Sequence, residues 1–139
     1  SMKLLALVFF IFCSQIAIAK CKEDFGTPDM FGSYEQLKHI QKEVRENDCS
    51  FIQMTWKSKT FQGAKMNRVI ALDVKEGILM RARGATPGMS ASWEFWHGFT
   101  KQELMEDDPS DGFDLPNYTT SFDKSKLSKK LNKVFKKFR

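Results

Sequence analysis

The chain has 139 residues, 42% hydrophobic, 28% charged and 13% aromatic, with a formal net charge of +5. Thirteen Phe and three Trp supply apolar surface that a disordered, highly charged chain lacks, and eight Gly with four Pro exclude collagen-like and low-complexity classes. The length suits one small globular domain.

Ser1 stands ahead of Met2 and reads as a scar residue. Met2-Lys3 is a short positive segment, Leu4 to Phe12 (LLALVFFIF) an unbroken apolar run, and Ala17-Ile18-Ala19 the small-x-small pattern that a signal peptidase accepts. Residues 1–19 are therefore expected to be the scar plus a cleaved signal peptide. The stretch holds Ser14 and Gln15 and falls short of the about 20 apolar residues that span a bilayer. Lys20, directly before Cys21, argues against a lipid-modified cysteine. Residues 20–139 then form one small α+β domain whose only thiols are Cys21 and Cys49. Two cysteines in an exported chain predict one disulfide bond. The periplasm is the expected compartment, with the extracellular space as the alternative for a secreted chain.

After Cys21, the segment CKEDFGTPDMFG reads as an irregular arm because Gly26, Pro28 and Gly32 interrupt any period. Ser33 followed by Gln36 forms a capping-box pattern, and Tyr34, Leu37, Ile40 and Val44 recur at helical spacing, which predicts a helix over 33–46. Phe51 to Lys59 alternates with period two and predicts a strand. Arg68–Val74 and Ile78–Arg83, joined at Lys75-Glu76-Gly77, predict a hairpin, and Ser90 to Phe99 predicts a fourth strand. Thr100 is placed to cap a short acidic helix reaching about Asp107, and Asp108-Pro109-Ser110-Asp111-Gly112 breaks it before a loop to Ser121. From Lys124 to Phe138, Leu127, Leu131, Val134, Phe135 and Phe138 lie on one helical stripe. The expected fold is α+β: an N-terminal helix, a four-stranded mainly antiparallel sheet with helices on one face, and a C-terminal amphipathic helix.

The charge is unevenly spread. Residues 123–139 carry eight basic side chains against Asp123, a balance of +7, whereas Glu103, Glu106, Asp107, Asp108, Asp111 and Asp114 form a run with no basic residue. The acidic run resembles a calcium loop, but Pro109 sits where the third-position ligand belongs and Tyr118 where the closing Glu belongs. His39 and His97 are isolated and no CxxC spacing exists, so no metal or cofactor is expected. No GxSxG motif is present, Glu94 and His97 fall on opposite faces of one strand, and no catalytic residues emerge. An enzyme is the less favoured reading.

Two functions fit these residues. The first is a non-enzymatic exported binding protein of the cell envelope, of the assembly-factor or toxin-neutralising type, which recognises a protein partner or apolar ligand through an aromatic sheet surface at Trp56, Trp93 and Trp96. The second is a peripheral protein docking on anionic lipid through the basic amphipathic helix, with charge and apolar burial acting together. The candidate basic patch comprises Arg68, Arg81, Arg83, Lys129, Lys133, Lys136 and Lys137. Nucleic acid is not an expected partner, because no aromatic platform is interleaved with the basic residues.

Overall fold

The computed structural model describes residue 21 and residues 25–26, 32–59, 65–85 and 92–138. The expected leader, residues 1–19, lies outside them, as do the side chains of 25–26, 56–59, 65–67, 83–85 and 111. The elements in chain order are β1 (Phe25–Gly26), α1 (Ser33–Asn47), β2 (Phe51–Lys59), β3 (Lys65–Asp73), β4 (Ile78–Ala85), β5 (Ser92–His97), α2 (Lys101–Glu106) and α3 (Lys129–Phe138). Single 3-10 turns at Pro109–Asp111 and Lys124–Lys126 precede the final helix. This is the expected α+β fold with a four-stranded antiparallel sheet, β2-β3-β4-β5, and a helix at each end. The two-residue β1, from the segment read as irregular, adds in parallel beside Met54 and Thr55. No helix among the described residues is long and apolar enough to cross a membrane.

The helices do not share one face of the sheet, as the sequence had suggested. Side chains alternate across a strand, yet both sets in the centre of this sheet are apolar. Ile52, Met54, Ile70, Leu72, Leu79 and Trp96 form one buried cluster with Leu37, Ile40 and Val44 of α1 and Leu104 of α2. Phe51, Val69, Ala71, Ile78, Met80, Ala82, Trp93 and Phe95 form a second, with Phe122 and with Leu131 and Val134 of α3. Each apolar face needs its own cover. Residues 118–122 carry the chain round the sheet edge: Tyr118 packs on Trp96 of the first cluster, Thr119 bridges Phe95 of β5, and Phe122 stacks on Phe95 in the second.

Local signals explain most element ends. Gly77 closes the β3–β4 turn at φ 65°, and a Cβ there would meet the Phe99 carbonyl oxygen at 2.2 Å, so glycine is required. Thr100 caps α2, accepting from the Glu103 amide at 3.1 Å while its hydroxyl donates to the Glu103 carboxylate. The Ser33–Gln36 capping box does not form. Gly32 takes the N-cap position, and the Ser33 hydroxyl instead accepts from Arg81 Nη1 at 2.8 Å. The last helix begins at Lys129, later than expected, because Asp123 caps its own short turn and Ser128 Oγ accepts from the Leu131 amide.

Cys21 and Cys49 form a disulfide that closes a separation of 28 residues. It ties the segment before β1 to the α1–β2 junction, where Cys49 is buried in the first cluster. A loop of that length implies about 3.5 kcal/mol of stabilisation through restriction of the unfolded chain. Urea unfolding of the Cys21→Ser variant should show a loss of about this size; equal stability of the oxidised protein and the variant would show that the bridge restricts nothing.

Candidate functional site

Trp93 and Trp96 do not share a surface. Trp93 points to the α3 side of β5, 5.5 Å between ring centres from Phe135, and Trp96 points to the α1 side, 5.0 Å from Phe113. Both are buried, at 8% and 3% exposure. Odd and even positions on β5 serve different cores, and both cores are covered. Trp56 belongs to β2, and its side chain lies outside the described residues. The most exposed large hydrophobic side chain among the described residues is Tyr118, at 54%; it lies in a loop, where no period marks it as a surface residue. With Ser92, Trp93, Glu94 and Thr120 it lines an open cleft of about 330 Å³ at the β5 edge, near the lower size limit of small-molecule sites.

The candidate basic patch is divided between the two sides of the sheet. Arg81 is buried on the α1 side: its Nε donates to Glu94 Oε2 at 2.9 Å, its Nη1 to Ser33, and its guanidinium lies 4.6 Å from the Phe113 ring centre. Glu94 Oε1 also accepts from the Tyr118 hydroxyl at 3.1 Å. This network joins the start of α1, strands β4 and β5, and the loop at 118. Arg68 is half-buried on β3, and Arg83 lies in β4 with its side chain outside the described residues. Removing one partner of a buried pair leaves the other charge uncompensated. Arg81→Leu should therefore cost about 2–4 kcal/mol in urea unfolding, and adding Glu94→Leu should recover a substantial part of it; a double variant no better than the single would contradict this account of the pair.

On the other side, α3 lies against β3 with Leu131 and Val134 buried and Leu127, Phe135 and Phe138 packed around them. Lys129, Lys130, Lys133, Lys136 and Lys137 are exposed, as are Lys124 and Lys126 just before the helix. No ion pair joins the lysines of α3 to a carboxylate among the described residues; Lys126 and Lys124 help to lower the Asp123 carboxyl beside them, after its hydrogen bonds from Ser125. Three of the lysines lie over rings: Lys124 Nζ is 5.6 Å from Phe95 and 5.8 Å from Phe135, Lys130 Nζ 5.3 Å from Phe51, and Lys137 Nζ 5.4 Å from Phe138. Such contacts are of cation–π type and let the lysine stems help seal the second cluster. Lys124, Lys126 and Lys130, absent from the candidate patch, belong to the same surface; their place in one unbroken basic run was the available signal.

The acidic run lies on the α1 side. Gln41 of α1 donates to the Leu104 and Asp107 carbonyls at 2.8 and 3.0 Å, and Phe113 and Leu115 pack in the first cluster. Among the described residues no group of three His, Cys, Asp or Glu is placed to hold a metal ion. Burial, then the charges of Asp114 and Asp108, push the Asp107 carboxyl above its ordinary value of 3.8. An acid raised by folding binds protons more tightly in the native state, so its effect on stability becomes unfavourable as pH rises from 3.8 through the native value. Asp107→Asn should therefore melt higher than the parent at neutral pH, with the difference closing as pH falls below 3.8; a difference that does not change with pH would contradict this.

The site the structure offers is thus a lysine-rich helix face, with an acidic surface on the other side of the sheet and a small aromatic cleft at its edge. No protein-family model, curated protein or solved structure matches the chain.

Proposed function

We propose that this chain is an exported, non-enzymatic binding protein of the cell envelope whose recognition surface is the lysine-rich outer face of α3. One observation carries this reading: the apolar side of α3 is already sunk in the protein's own core, while its lysines are exposed with no carboxylate paired to them among the described residues. Such a surface attracts through charge. Export is supported by the leader pattern of residues 2–19 and by the Cys21–Cys49 bond, a linkage that persists in oxidising compartments.

Magnitudes restrict the partner. Isolated exposed ion pairs contribute about 0.2–1 kcal/mol each, whereas association itself costs at least about 4 kcal/mol. A few scattered carboxylates do not offset that cost. A densely anionic surface contributes about 1 kcal/mol for each lysine held near it, and the exposed lysines of α3 together reach a useful affinity only there. The partner is therefore rich in negative charge.

Retention on immobilised polyglutamate tests this. The triple variant Lys129→Gln, Lys133→Gln, Lys136→Gln should bind on the order of 100-fold more weakly than the parent at low salt, and raising the salt should release the parent. Retention that ignores both salt and the three substitutions would show that recognition lies elsewhere.

A further inference from the structure

Resting on that reading, we propose that the partner is the surface of an anionic lipid bilayer, on which the domain lies with α3 against the headgroups and adsorbs without inserting. The mode follows from packing. Leu131 and Val134 are buried against Val69, Ala71 and the rest of the second cluster, so pushing them into lipid would open the core. Contact by charge and apolar burial together, expected from the sequence, gives way to contact by charge alone.

The kind of anion follows from the donors. Every described cation of this face is a lysine, from Lys124 to Lys137. An ammonium is a point charge on a flexible stem and lacks the planar fork with which arginine fits one carboxylate or phosphate. A face built this way responds to a diffuse field rather than to one placed group. The row from Lys129 to Lys137 runs about 12 Å along the outside of a helix, a convex line that a flat charged surface can meet along its whole length.

The pose follows from the opposite charge. Glu103, Glu106 and Asp108 lie on or just after α2, on the α1 side of the sheet. Two packed layers separate them from α3, roughly 20 Å, beyond the Debye length of about 8 Å at physiological salt. A planar anionic field attracts one side of the molecule and repels the other, which sets its orientation.

The test is co-sedimentation of residues 20–139, which contain every described helix and strand and the disulfide, with vesicles of phosphatidylcholine alone or with a third of the lipid replaced by phosphatidylglycerol. The expected result is binding to the anionic vesicles only, released by salt, with the tryptophan emission maximum unchanged. Lys129→Gln, Lys133→Gln, Lys136→Gln together should lower the partition on the order of 100-fold, with melting temperature measured alongside to confirm folding. Glu103→Gln, Glu106→Gln, Asp108→Asn together should alter it by less than about twofold. Binding to neutral vesicles, salt-resistant binding with blue-shifted emission, an unaffected lysine variant, or a strong effect of the acidic-side variant would each overturn the proposal. Polyglutamate retention without vesicle binding would remove the lipid assignment and leave an acidic protein as the partner; loss of both would remove the binding reading as well.

Discussion

The fold depends on a sheet that is apolar on both faces. Val69-Ile70-Ala71-Leu72 on β3 and Ile78-Leu79-Met80 on β4 are buried without alternation, so neither face can be left to water. At about 25 cal/mol per Å² of apolar surface, leaving either face open would cost more than the net stability of a small domain. α1 with α2 covers one side and α3 covers the other. The same requirement gives α3 its character: its inner stripe has to be leucine, valine and phenylalanine, and only its outer side is open to carry another role.

The two lids are fixed in different ways. On the α1 side a covalent bond and a polar network act together. Cys21–Cys49 closes the end near β2, while Arg81 joins Ser33 to Glu94, and Glu94 to Tyr118, at the start of α1. Asp48 and Lys101 add an exposed pair between the end of α1 and the start of α2, and the lysine holds the Asp48 carboxyl below its ordinary value. On the α3 side the attachment is packing: Leu131, Val134 and Phe135 on the sheet, with lysine ammonium groups over aromatic rings at the margin. The lysine side chains thus combine two roles, since their stems shield the core and their charges face outward.

Most elements were legible because their periods are clean. β2 was readable from Phe51 to Lys59 by its alternation, α1 by Leu37, Ile40 and Val44, and the β3–β4 turn by Gly77. β1 was not, since two residues paired in parallel leave no period, and their partner strand becomes adjacent only through the α1 crossover. The placement of the helices on two faces was present in the sequence but passed over: a near-continuous apolar run such as VIAL marks a strand covered on both sides. Trp93 and Trp96 lie apart for a related reason: they differ by an odd number of positions and serve opposite cores. The lysine face was legible as charge, but whether its apolar stripe was available for binding depended on tertiary packing that no local pattern reports.

The proposed binding mode requires that the apolar stripe of α3 stay with the fold and leave only the lysines for recognition. Amide hydrogen exchange of the unliganded protein tests it most directly, because a helix docked on the sheet opens only with its core. The amides of Leu131 to Phe138 should be protected to a degree comparable with those of β3, and should remain so when anionic vesicles are added. Exchange of these amides at the rate of an unstructured peptide, or loss of their protection on vesicles, would show that the helix leaves the sheet to bind and that its apolar side is part of the recognition surface.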